Sequence, residues 1–165
     1  MKFSRFLCGK TGMLCLTVAM LAKLVTAGTP GKCAAPTTCD ATCGSPSTPC
    51  MVRVSEDTNG ATATMLNLQS GTPTANQDIC VQGGTEIVWI TDEEKSKLTA
   101  TFGTQHPFVH TPQGKAAIFN GKVGHPVSDT TSTPGCYQYN LSHRIGTQKS
   151  KSADPKVIVK SGTGD

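Results

Sequence analysis

Residues 81–91, VQGGTEIVWIT, carry the strongest strand signal in the chain. The two glycines mark a turn, and the β-branched and aromatic residues from Thr85 to Thr91 favour an extended strand. Ile87 and Trp89 stand two positions apart, so their side chains lie on one face of that strand. Burying one large side chain contributes about 1.5–3 kcal/mol. This face is therefore predicted to pack into a core.

Short segments of the same kind recur from Met51 onward, separated by Gly, Pro and Thr-rich turns. The segments predicted to be extended are 51–54, 62–68, 79–81, 85–91, 98–102, 107–110, 136–142 and 156–160, and 116–119 is an apolar run of uncertain type. None of these segments has a helical period. Short strands with frequent turns favour an all-β fold, an antiparallel Greek-key β-sandwich.

The composition agrees with that fold class. Among the 165 residues there are 17 glycines and 10 prolines, while charged residues make up only 16% and aromatic residues 5%. These proportions exclude a coiled coil, a charged helical bundle and collagen. The length fits one domain of ordinary size with extensions.

The first 27 residues are predicted to be a signal peptide. Lys2, Arg5 and Lys10 form a basic start, and an apolar stretch follows over 13–25. The small residues that end at Ala27 suit cleavage after that position. The mature chain is then secreted or periplasmic and has no stable membrane span; the alternative is a leader that is retained as an anchor.

The charge of the remaining chain is balanced. Four of the 15 basic residues and none of the 11 acidic ones lie in residues 1–27, so residues 28–165 carry equal numbers of each. This balance argues against nucleic acid or anionic lipid as a partner.

Six cysteines remain after residue 27. They are Cys33, Cys39, Cys43, Cys50, Cys80 and Cys136. An even number in an exported chain indicates three disulfides, for which 15 pairings exist. The first four are crowded into a Pro-rich arm over 28–50, and we expect them to form two local pairs. Cys80 and Cys136 are then left to pair with each other. A four-cysteine zinc site is the alternative, although only Cys39 and Cys43 have the usual close spacing.

Three stretches resemble the cupredoxin family of plastocyanin and azurin type. Residues 81–89, VQGGTEIVW, look like its Gly turn followed by a strand ending in Val-x-Trp. Residues 134–141, PGCYQYNL, are similar to the family's Gly-x-Tyr-x-Tyr-x-Cys, and 154–160, DPKVIVK, resemble its closing strand. The resemblance covers about residues 80–160 and implies a cupredoxin-like sandwich over 51–165. Leu141, however, stands where the family's copper-binding cysteine would be, so type 1 copper chemistry is not implied.

Histidines offer the remaining candidate metal ligands. The candidates are His106 and His110, which are four residues apart, and His143, which could join them from elsewhere in the chain. In an extended chain that separation spans about 13 Å, at about 3.3 Å per residue, which is too far for one ion without a bend. Loop or surface histidines are the simpler interpretation. Three adjacent acids over 92–94 suit a charged hairpin end, with a calcium site as the alternative.

The sequence contains none of the catalytic motifs of hydrolases, metalloproteases or nucleotide-binding enzymes. We therefore expect an exported, non-enzymatic β-sandwich without a cofactor. Its role would be binding or structural, in the cell envelope or outside the cell, with another envelope or extracellular protein as a possible partner. The alternative is a metal-binding or electron-transfer protein that uses a non-standard histidine site, and an unrecognised hydrolase is a third hypothesis.

Overall fold

The computed structural model describes residues 31–33, 41–69 and 78–162, and these residues form strands and no helix. The strands are β1 (Gly31–Lys32), β2 (Cys50–Glu56), β3 (Ala61–Met65), β4 (Ile79–Gln82), β5 (Glu86–Ile90), β6 (Ser96–Phe102), β7 (Ile118–Lys122), β8 (Val127–Thr130), β9 (Gly135–Ile145), β10 (Lys151–Ala153) and β11 (Lys156–Lys160). The predicted signal peptide over 1–27 and Cys39 lie outside the described ranges. No helix with the length and hydropathy needed to cross a bilayer occurs among the described residues.

The strands form two mixed sheets. One has the order β4-β11-β9-β6-β7, with β1 and β10 also pairing with β9, and the other has the order β3-β2-β5-β8. The all-β prediction is confirmed, but the antiparallel one is wrong for two pairs: β2 with β5, and β4 with β11, run parallel. Inward and outward residues alternate in the same way in both kinds of pair, so the sequence pattern did not distinguish them.

One hydrophobic core contains residues from both sheets. Ile87 and Trp89 are fully buried, as the spacing on β5 predicted. The Trp89 ring stacks on Phe119 at 5.2 Å between ring centres, and the Phe102 ring stacks on Tyr139 at 4.6 Å. Trp89 belongs to one sheet and the other three rings to the second, so aromatic packing joins the two sheets.

The predicted strand over 107–110 is absent, and β8 and β10 were not predicted. Phe108 instead makes a single bridge to Thr131 from a loop. Strand β8 has the polar sequence VSDT and pairs with β5 at the edge of the smaller sheet. Its pairing depends on its neighbour rather than on its own composition, which is why the local signal was weak.

The predicted bridge between Cys80 and Cys136 is wrong, because Cys136 is bonded to Cys33. Strand β11 lies between β4 and β9, and Ile158 is opposite Cys80 on one side and Cys136 on the other. Two strand spacings amount to about 9.5 Å, whereas disulfide-bonded Cα atoms lie within about 7 Å. Cys80 is also disulfide-bonded.

The arm is only partly as predicted. Cys43 and Cys50 form a local disulfide, seven residues apart. Cys33, by contrast, bonds to a strand 103 residues away, and β1 pairs with residues 137–138 of β9. This start of the arm is therefore an added strand of the larger sheet rather than a separately stapled loop.

Candidate functional sites: the histidines and a cationic strip

Leu141 is the position at which the sequence analysis expected no copper-binding thiolate. It is fully buried on β9, opposite Ala100 of β6, and belongs to the hydrophobic core. Cys136 lies on the other face of the same strand and its sulfur is bonded to Cys33. Neither residue presents a thiolate to the core side of β9.

His106 is held within the aromatic end of the core. Its ring lies 5.8 Å from the ring of Phe108, with only 22° between the planes. The Phe108 backbone N–H donates to its Nδ1 at 3.3 Å, while Nε2 is buried without a hydrogen-bond partner. The side chain is 1% exposed. These contacts make His106 a packed residue with one unsatisfied nitrogen.

His110 presents its ring to solvent and is oriented by a buried acid. Its side chain is 74% exposed, and Nδ1 lies 2.6 Å from Oδ1 of Asp129, whose side chain is 3% exposed. The backbone N–H of Thr130 also donates to that carboxylate at 2.7 Å. Because the carboxylate accepts from Nδ1–H, the lone pair of Nε2 is left for an external donor or ion.

His143 is fully buried near the end of β9 among polar side chains. Its Nε2 lies 3.0 Å from the Thr91 hydroxyl, which in turn is 2.7 Å from the Ser96 hydroxyl. A carboxylate oxygen of Glu56 lies 3.9 Å from Nδ1, and one of Glu93 lies 3.9 Å from Nε2. The two acids thus face different ring nitrogens, so one ion bound to this imidazole could not use both.

The three candidate histidines do not converge. His143 is opposite Leu98 near the start of β6, while His106 follows the end of the same strand at Phe102. The strand rise separates those two ends by about 13 Å. Within the described ranges, no three His, Cys, Asp or Glu side chains are placed to hold one ion.

A feature that the sequence analysis missed lies on the outer face of the larger sheet. Arg144 of β9 is directly opposite Lys97 of β6, which is directly opposite Lys122 of β7. All three residues are exposed, and we call them the cationic strip. With strands about 4.8 Å apart, the strip extends about 10 Å across the sheet.

No acid among the described residues neutralises the strip. Arg53 is paired with Asp92 at 2.7 Å, but no such ion pair occurs for any member of the strip within the described residues. The outward positions of β6, β7 and β9 also contain no acid. Like charges directly opposite each other on neighbouring strands destabilise a sheet. The strip therefore costs stability.

A shallow hollow of about 300 Å³ runs along the strip between β6 and β7. Its lining includes the buried Leu98 and Gly121 and the exposed Lys97, Lys122 and His125. The balanced net charge of residues 28–165 had argued against a basic surface. A net charge, however, does not show whether the cations are gathered on one face of the molecule. Recognising the strip needed the register between strands, which the sequence does not contain.

No protein-family model, curated protein or solved structure matches this chain. The geometry of the described residues therefore carries the functional argument.

Proposed function

We propose that the protein is an exported, non-enzymatic β-sandwich of cupredoxin-like Greek-key type that has no type 1 copper centre. Its role is to bind a partner or to act structurally in the cell envelope or outside the cell. The disulfide bonds at Cys33–Cys136 and Cys43–Cys50 are consistent with an oxidising compartment. The basic and apolar start of the sequence supports export.

The observation that carries the proposal is the placement of Leu141. A type 1 site needs a thiolate together with two imidazoles. Leu141, which the sequence resemblance aligns with that thiolate, supplies a hydrocarbon to the core, and the nearest sulfur on β9, Cys136, is in a disulfide on the opposite face. A two-sheet fold with a packing residue at this position supports a sandwich without type 1 copper chemistry.

Copper titration tests the absence of a type 1 site. The oxidised, tag-free mature protein is mixed with Cu(II), and its visible spectrum is recorded. We expect no intense blue band, because that band arises from copper–thiolate bonding. An intense blue band would overturn the proposal and make electron transfer the leading function.

Export is tested separately by sequencing the N-terminus of the protein from its native host. We expect Gly28 as the first residue of the mature chain, on protein found outside the cytoplasm. Soluble cytoplasmic protein that still begins at Met1 would contradict export.

A second candidate function, metal binding through a non-standard histidine site, is favoured by one observation. The Asp129 carboxylate orients the His110 ring, which leaves Nε2 free and the ring mostly exposed. Second-sphere carboxylates of this kind raise the basicity of ligating imidazoles. Calorimetric titration with Zn²⁺ separates the candidates. If His110 is the ligand, His110→Ala abolishes binding, whereas the matched exposed control His125→Ala leaves it unchanged.

A further inference from the structure

We propose that the cationic strip and the free edge of β7 bind an extended acidic segment of a partner protein, which adds to the larger sheet as a further strand. This inference deepens the binding role proposed above and rests on it. It joins two independent observations on the described residues: no acid pairs with the strip, and no strand pairs with the outer edge of β7, where the strip ends.

The first observation concerns charge. Lys122 lies on β7, the last strand of the order β4-β11-β9-β6-β7, so the strip ends at a sheet edge. Each of its two opposite pairs is repulsive within the protein, and no described acid relieves either pair. A carboxylate placed beside Lys122 would continue the row with the opposite sign and offset the repulsion that Lys122 contributes.

The second observation concerns the backbone of β7. The Phe102 N–H donates to the Ala117 carbonyl at 2.8 Å, and hydrogen-bonded residues alternate along an antiparallel pair. Phe119 and Gly121 therefore also point their backbone groups towards β6, while Ile118 and Asn120 point theirs away. No backbone hydrogen bond to Ile118 or Asn120 on that side occurs within the described part of the chain.

The open stretch is short. The backbone groups of Lys122 are already used by His125, which donates to the Lys122 carbonyl at 2.9 Å and accepts from its N–H at 3.3 Å. Strand addition is therefore confined to Ile118–Asn120, and Lys122 supplies a side-chain contact beyond it. This arrangement is the β-augmentation mode, in which main-chain bonds give affinity and side chains give specificity.

The charge of the edge selects the occupant. A second copy of β7 would bring another lysine to an edge that already carries one, and lysine at short edge strands is a known protection against such self-pairing. An acidic segment meets no such repulsion. The face has no exposed aromatic residue among the described ones, so ion pairs and main-chain bonds supply the recognition.

The register predicts the chemistry of the segment. Residues that add beside β7 have their outward side chains directly opposite Ile118, Asn120 and Lys122. Ile118 is 56% exposed, which suits an apolar partner side chain, while Lys122 suits an acid. The partner should therefore contain Asp or Glu four positions from an aliphatic residue, in an extended and Pro-free stretch.

The probe is a labelled ten-residue peptide of alternating Thr and Val with one Glu and one Ile four positions apart. Its binding to the mature protein is measured by fluorescence anisotropy at low and at physiological salt. The strip variant carries Lys97→Gln, Lys122→Gln and Arg144→Gln. The matched control carries Lys32→Gln, Lys115→Gln and Lys160→Gln, which are also exposed and give the same net charge.

We expect the strip variant to bind the peptide about fivefold more weakly, because the single Glu of the peptide loses its exposed ion pair with Lys122, and the control to bind within twofold of the unchanged protein. The melting temperature of the strip variant should rise, because its removal of like charges stabilises the sheet. That rise also verifies that the variant is folded. Equal affinity of the strip variant and the control would overturn the proposal.

A second variant tests the edge. Asn120→Pro removes the outward N–H without touching any charge, and proline is tolerated at edge positions. We expect it to abolish peptide binding. If it binds as the unchanged protein does, strand addition is wrong.

Vesicles of phosphatidylglycerol give the competing outcome. If the unchanged protein binds them and not the peptide, the occupant is a lipid surface and the acidic-segment proposal fails. A negative result in any of these binding experiments does not change the copper spectrum or the mature N-terminus. Failure of this inference is therefore distinguishable from failure of the proposed function.

Discussion

The substitution Tyr139→Phe should stabilise the protein. Tyr139 is fully buried on β9 and its ring stacks on Phe102 at 4.6 Å. Its hydroxyl is buried without a hydrogen-bond partner, and so is Nε1 of the neighbouring Trp89. The indole N–H is near enough to lower the pKa of the phenol slightly, but the geometry does not amount to a hydrogen bond. Phenylalanine keeps the stacked ring and removes the unsatisfied oxygen.

The size of the effect follows from the desolvation of that oxygen. An unsatisfied buried polar group costs about 1–3 kcal/mol. We expect Tyr139→Phe to gain about 1 kcal/mol, since the small space left by the oxygen offsets part of the benefit. For a domain of this size that corresponds to an increase of about 3–5 °C in the melting temperature.

The pH dependence supplies a second readout. Burial raises the pKa of Tyr139 well above its usual value of 10.0. At a pH above 10, the phenol of the unfolded chain loses its proton while that of the folded protein keeps it. Deprotonation therefore stabilises the unfolded state relative to the folded one. The free energy of unfolding should then fall by about 1.4 kcal/mol per pH unit for this residue. Tyr139→Phe should make the alkaline decline shallower, measured by urea unfolding between about pH 9 and 11.

Tyr137→Phe is the matched control on the same strand. The hydroxyl of Tyr137 donates to the Thr133 carbonyl at 3.1 Å, so its removal should cost about 1 kcal/mol. Burial raises the pKa of Tyr137 too, which leaves part of the alkaline decline in the Tyr139 variant. The reasoning is refuted if Tyr139→Phe melts at or below the temperature of the unchanged protein, or if the two variants shift in the same direction.

The remaining predictions concern the covalent and backbone constraints. Replacing Cys33 and Cys136 by Ala should cost up to about 4.7 kcal/mol, because the bridge joins residues 103 apart, whereas the same change at Cys43 and Cys50 should cost about 2.5 kcal/mol for a separation of seven. Urea unfolding measures both, and the opposite ranking would contradict the chain-entropy account. Gly44→Ala should destabilise by about 2 kcal/mol or more, because Gly44 has φ +66° and an added Cβ would lie 2.5 Å from the Thr48 carbonyl oxygen. An unchanged melting temperature would show that this turn relaxes freely.

The features predicted correctly from the sequence are those that depend on near neighbours along the chain. Tyr139 and Leu141 were placed on one face of their strand by the two-residue period, and both are fully buried. The same period placed Cys136 on the opposite face, where its disulfide and Ile158 cover it. Backbone geometry alone dictates this alternation, so no knowledge of the partner strands was needed.

The features that were missed depend on which strands become neighbours. Cys80 and Cys136 were paired by elimination, and only the insertion of β11 between their strands separates them. The cationic strip has the same origin, since Lys97, Lys122 and Arg144 are distant in sequence and become adjacent through the pairing register. The loop histidines were likewise judged by spacing, although Asp129 from β8 is what orients His110.

The two faces of β9 differ in burial and in charge. Its inward residues from Tyr137 to Leu141 belong to the core, and His143 continues that face into a buried polar cluster with Thr91. The described side chains on this inward face are therefore not accessible to a ligand. The outward face ends in Arg144, exposed and without an ion pair among the described residues. A repulsive row of this kind weakens the sheet, and the proposed acidic partner would offset that cost.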